Sequence, residues 1–94
     1  MSIKTSCAAL GVAGLLLAVS SAAQAADPGF CRNYATAALR QVRAARSVPR
    51  CAYGANGPRW SPYYRVHFDW CRGVSYAAAG RERDARTNYL RRCR

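Results

Sequence analysis

The chain contains a single histidine, His67, in a segment crowded with large side chains: Tyr63, Tyr64, Trp70 and the adjoining Cys71. Imidazole titrates near neutral pH, so such a residue can act as a general base or as a pH sensor. A lone base also needs a nucleophile or an orienting partner within hydrogen-bond reach. None of the few serines stands in a recognisable nucleophile motif. His67 is therefore read as structural, a core histidine bonded to a tyrosine hydroxyl or a backbone carbonyl. Glu82 and Asp84 are two residues apart, and on a helix they point to different sides, which is wrong for a paired acid and base. Glu82 and Arg86 stand at i,i+4 in the favourable order and are expected to form a half-buried structural ion pair. No catalytic residue and no enzyme activity are expected.

The cysteines carry a second kind of chemistry. Cys31, Cys51, Cys71 and Cys93 follow one another at intervals of 20, 20 and 22 residues. Zinc sites favour close C-x₂₋₄-C pairs, so neither a metal site nor any cofactor is expected, and an even count in a short exported chain reads as two disulfides.

Aromatic and basic residues supply the candidates for recognition. Trp60, Tyr63, Tyr64 and Trp70 interleave with Arg59 and Arg65, a composition that can build a stacking and cation–π platform. A small domain also needs its large aromatics in the core, so only Trp60 and one tyrosine are expected at the surface, while Trp70 is read as structural. Arg32, Arg40, Arg43 and Arg46 form a stripe, and Arg91, Arg92 and Arg94 a C-terminal cluster. Guanidinium forks suit phosphates and carboxylates. The candidate ligand-binding residues are Arg32, Arg40, Arg43, Arg46, Arg59 and Trp60.

These residues must be positioned by a short chain. Lys4 begins a positive n-region, residues 8–19 are an uncharged apolar run, and Ala23-Gln24-Ala25 is an A-x-A cleavage signature, so 1–25 read as a cleavable signal peptide. The apolar run is too short for a spanning helix, which needs about 20 residues. Cys7 precedes that run, where a lipid-attachment cysteine would follow it. The mature domain is then 26–94. It holds 69 residues, with 14 arginines, no lysine and four carboxylates, for a net charge of +10. A chain of this size is marginal without a covalent staple.

Asp27-Pro28 is a cap-plus-proline signal opening a helix to Arg46, whose inward side carries Cys31, Tyr34, Ala35, Ala38, Val42 and Ala45. Pro49 stops it. Residues 50–60 read as an ordered loop. Ser61-Pro62 opens a second helix with Tyr63, Tyr64, His67, Trp70, Cys71 and Val74 inward. Gly73 and the Ser75–Gly80 stretch mark a break, within which Tyr76-Ala77-Ala78-Ala79 is itself compatible with a helix, and a third helix then runs to Cys93. A first helix of roughly 22 Å from Cys31 is too long for Cys51 to return to Cys31 across five residues, which reach at most about 17 Å. An up-down-up bundle then pairs Cys31 with Cys71 and Cys51 with Cys93, since bridged Cα atoms lie within about 7 Å. The expected fold is all-α, a small three-helix domain stapled by two disulfides and preceded by a signal peptide.

The pattern Cys31-Arg32-Asn33-Tyr34-Ala35, Cys51, Arg59-Trp60, His67-Phe68-Asp69-Trp70-Cys71, Glu82, Arg86, Leu90 and Cys93 resembles a group of uncharacterised small exported four-cysteine proteins of alphaproteobacteria, abundant in rhizobial relatives. It covers essentially the whole mature chain, and H-x-x-W-C is its most distinctive part. The resemblance implies an exported envelope protein and brings no activity, ligand or catalytic residue.

Residue chemistry and resemblance together lead to a non-catalytic exported protein, periplasmic or secreted. It is expected to act as a basic binding or interaction module for an anionic envelope polymer, lipid headgroups or a protein partner. Nucleic acid is not expected as a partner. The competing classes are a purely structural or protein-interaction module whose charge only solubilises and a secreted cationic toxin or antimicrobial effector. Against the effector, the charge is spread around the helices with no long exposed amphipathic face. No transmembrane segment is expected in the mature chain.

Overall fold

A computed structural model describes residues 24–94. The expected signal peptide, including Lys4, Cys7 and the apolar run, lies outside the described residues except for Gln24 and Ala25. Helix α1 spans Pro28–Arg46, α2 Pro49–Gly54, α3 Tyr64–Arg72 and α4 Tyr76–Cys93, with a 3₁₀ turn at Pro58–Trp60. Among the described residues there is no strand, and no helix is long and apolar enough to cross a membrane.

The start of α1 follows from its first residues. The Asp27 carboxylate accepts the Phe30 amide at 2.8 Å, and Pro28 occupies the first turn, where its missing N–H costs nothing. The buried side of α1 is Cys31, Tyr34, Ala35, Ala38, Val42 and Ala45, the six residues that helical periodicity places together. Its many alanines allow α3 and α4 to pack close against it. Packing begins at Ala26, which is 1% exposed. Its amide donates to the Val74 carbonyl at 2.9 Å, and Arg72 Nε donates to its carbonyl at 3.3 Å.

Residues 50–60 differ from the expected loop. Pro49 does end α1, but proline is equally suited to a first helical position, and it begins the short α2 that carries Cys51. Gly57 then adopts φ +87°, a left-handed conformation open to glycine, and turns the chain into the 3₁₀ segment. Helix α3 starts two residues later than the Ser61-Pro62 signal suggests. The Ser61 hydroxyl accepts the Tyr63 amide at 3.1 Å, closing a local turn instead of capping a helix. Tyr63 is consequently the extended N-cap residue and is 69% exposed, not inward. Helix α4 is capped by Ser75, whose hydroxyl accepts the Ala78 amide at 3.1 Å, and it continues through Gly80 without a break.

The disulfides are Cys31–Cys71, with Cα atoms 5.6 Å apart, and Cys51–Cys93, with Cα atoms 5.1 Å apart. Each lies within its own apolar cluster. Cys31 and Cys71 pack with Ala26, Tyr34 and Ala79, and Cys51 packs with Val42, Ala45, Trp60 and Leu90. Two structural disulfides belong to an oxidising compartment.

Candidate ligand cleft and arginine groove

Two concave features lie against α1. The first is a cleft of ≈ 160 Å³ lined by Tyr34, Pro58, Arg59, Val66, His67, Trp70, Glu82 and Arg86. Helix α1 supplies Tyr34, the 3₁₀ turn Pro58 and Arg59, α3 the next three residues, and α4 the last two.

Arg86 is fully buried at 0% exposure. Its Nε donates to Gln41 Oε1 at 2.7 Å and its Nη1 to the Arg59 carbonyl at 3.4 Å. The guanidinium carbon lies 5.1 Å from the Tyr34 ring centroid, a cation–π contact. Both protein acceptors are neutral, and no carboxylate lies within 4.0 Å of Arg86 among the described residues. Among the described residues, the remaining Nη2 and the buried Tyr34 hydroxyl have no partner in hydrogen-bond geometry, although the two side chains are close enough for Arg86 to counter the rise in the Tyr34 pKa. Burial pushes the Tyr34 phenol up, opposed by the adjacent Arg86, so the hydroxyl keeps its proton at neutral pH.

The expected Glu82–Arg86 pair is not formed. Glu82 instead receives two hydrogen bonds from Arg59, Nε at 2.6 Å and Nη2 at 3.2 Å, which hold the Arg59 pKa above its usual value. The 3₁₀ turn brings Arg59 across α4, and a bidentate fork to a partly exposed carboxylate outcompetes a partner one turn along the same helix. His67 is buried, and its Nε2 lies 2.8 Å from the Ser61 carbonyl. A carbonyl only accepts, so Nε2 carries the proton. Burial pushes the His67 pKa below its ordinary value, partly offset by that hydrogen bond, and the ring is neutral at neutral pH. Among the described residues, its one hydrogen-bond partner is that Ser61 carbonyl.

Trp60 departs from its expected surface position. It is 5% exposed and packs against Tyr89 with ring centroids 5.0 Å apart, because the 3₁₀ turn folds its indole into the cluster around Cys51. Trp70, expected inside, is 40% exposed and forms a wall of the cleft, 5.7 Å from the Tyr34 ring. No continuous stacking platform results.

The second feature is a groove of ≈ 320 Å³ between α1 and α4, lined by Ala37, Arg40, Gln41, Ala44, Arg83, Thr87, Leu90 and Arg94. A smaller recess shares part of this lining and adds Arg91. Arg40 of the α1 stripe thus shares the groove with Arg83 of α4 and with Arg94, the residue that follows α4. Arg32, Arg43 and Arg46 are exposed on the same side of α1 but do not line the groove, and Arg59 belongs to the cleft. Gln41 links the two features. Its amide nitrogen donates to Thr87 Oγ1 at 2.9 Å in the groove, while its oxygen holds Arg86 behind the cleft. Gln41 and Arg83 escape sequence reasoning because their neighbours lie more than 40 residues away along the chain. The one available signal is that Gln41 interrupts an otherwise apolar face. No group of three His, Cys, Asp or Glu residues is placed to hold a metal ion among the described residues.

No protein-family model matches the chain, and neither a curated protein nor a solved structure matches it.

Proposed function

We propose that this is a non-catalytic exported protein of the bacterial envelope that binds an anionic polymer or lipid surface through its arginine-rich side. The observation that carries the reading is the groove between α1 and α4, lined by Arg40 of α1, Arg83 of α4 and the C-terminal Arg94, with Arg91 in the adjoining recess. Thirteen of the fourteen arginines of residues 26–94 are exposed, and among the described residues only Arg59, Arg65 and Arg83 lie within ion-pair distance of a carboxylate. Guanidinium groups anchored on helices offer bidentate forks to phosphate, sulfate or carboxylate groups, against an ordering cost of about 0.5–1.5 kcal/mol for each arginine side chain immobilised. Export rests on the signal-peptide signature of residues 1–25 together with the two disulfides.

The test is retention of the oxidised protein on heparin and on vesicles containing phosphatidylglycerol, followed across a salt series. The reading expects retention that falls steeply with ionic strength and weakens when Arg40 and Arg94 are replaced by glutamine. Retention unaffected by salt, or by those two substitutions, would overturn it.

A further inference from the structure

The cleft holds a charge that the fold leaves uncompensated. Arg86 is removed from water with two neutral acceptors, a ring face and one unpartnered nitrogen. Burying a guanidinium without a counter-charge is costly, and an apolar side chain of similar volume commonly serves stability as well or better. Around the same cleft stand Arg59 and Glu82, whose charges cancel in their ion pair, and His67, which is neutral. The lining therefore carries one net positive charge, centred on a residue with no carboxylate within 4.0 Å among the described residues.

The other side of the cleft is apolar. Val66 and Trp70 are 41% and 40% exposed and present an aliphatic edge and an indole to the opening. The volume, ≈ 160 Å³, is close to that of an engineered cavity of roughly 150 Å³ that accepts one benzene ring.

We propose that this cleft binds a small monocarboxylate bearing one planar apolar ring. The carboxylate accepts hydrogen bonds from Arg86 Nη2 and from the Tyr34 hydroxyl, and the ring lies against Trp70. Both donors are shielded from solvent in the ligand-free fold, so the ligand reaches them as the exposed Val66 and Trp70 side chains change rotamer, a common adjustment on binding. A phosphate dianion fits less well, because its second charge faces Glu82. This site is separate from the arginine groove, and its occupancy does not depend on polymer binding there.

The experiment is an NMR titration of the oxidised protein, produced as the full chain with export, using benzoate, the neutral isostere benzamide and phenyl phosphate as probes. Benzoate should shift the Trp70 indole and His67 ring signals saturably, with benzamide and phenyl phosphate at least about tenfold weaker, the scale of one charge-assisted hydrogen bond. Arg86→Met should retain the helical circular dichroism and reduce benzoate to the affinity of benzamide. Trp70→Ala alters an exposed side chain and should weaken all three probes; it decides the matter if Arg86→Met does not fold. Equal affinities for benzoate and benzamide, shifts confined to the Arg40–Arg94 groove, or benzoate binding that survives Trp70→Ala unchanged would each overturn the proposal. Retention on heparin is expected to be unaltered by either substitution, which separates failure of this site from failure of the polymer-binding reading.

Discussion

His67 shows how one buried group can set the pH response of a small domain. Its folded pKa is lowered by burial, whereas the unfolded chain takes up a proton near pH 6.5. Between the folded pKa and pH 6.5 the unfolded state binds more protons. Stability is therefore complete above pH 6.5, declines as the pH falls towards the folded value, and levels off below it. Urea unfolding at pH 7.5 and pH 5 should show this loss, and His67→Gln should flatten the profile across that window. At lower pH the Asp27 carboxylate follows the same sign. The Phe30 amide and Tyr76 hydroxyl hold its pKa below the ordinary value, so its contribution is present at neutral pH and disappears as the pH falls through the folded pKa. The Arg59–Glu82 pair belongs to a different class. Its side chains are 46% and 23% exposed, so Glu82→Ala should cost no more than about 1 kcal/mol in chemical denaturation. An Arg59→Ala, Glu82→Ala double-mutant cycle should return a coupling of similar size.

The helices differ in how far their sequences announce them. The inward face of α1 and its N-cap were legible because periodicity, Asp27 and Pro28 all point to one register. The pairing of Cys31 with Cys71 and Cys51 with Cys93 was legible for a related reason, since helix length excludes the Cys31–Cys51 link and an up-down-up bundle selects between the two pairings that remain. Periodicity gives no guide where the chain leaves the α-helix. A helical wheel has no bearing on the 3₁₀ turn that buries Trp60, and Pro49 carries opposite meanings for the helix it ends and the one it begins. The cleft was legible only in part. His67, Glu82 and Arg86 stand out by type, but their partners Ser61, Arg59 and Gln41 lie on other elements, and only tertiary packing selects them. The disulfides close segments of 40 and 42 residues between sparse apolar clusters. Replacing both cysteines of either bridge by serine should cost about 4 kcal/mol on the chain-entropy account, a large part of the stability of a domain this small. Thermal unfolding monitored by circular dichroism, with and without reductant, checks this. A melting temperature insensitive to reduction would show that the helices hold without the staples.

At the scale of the whole domain, residues 26–94 present a strongly basic surface with very few carboxylates. Residues 26–94 contain 14 arginines against four acidic residues, and net charge by itself would attract any polyanion weakly and without preference for a face. The groove between α1 and α4 makes a narrower claim, because Arg40, Arg83 and Arg94 gather at one place. Two variants of equal charge separate the possibilities. One carries Arg40→Gln, Arg83→Gln and Arg94→Gln; the other carries Arg50→Gln, Arg65→Gln and Arg81→Gln, three exposed arginines that do not line the groove. The decisive measurement is the dissociation constant for a heparin oligosaccharide of wild type and both variants from low to physiological salt. A groove site predicts that the first variant binds at least about tenfold more weakly than the second at every salt concentration, with a shallower dependence of log Kd on log salt. Equal weakening of the two variants would contradict it and reduce the arginines to a general solubilising charge.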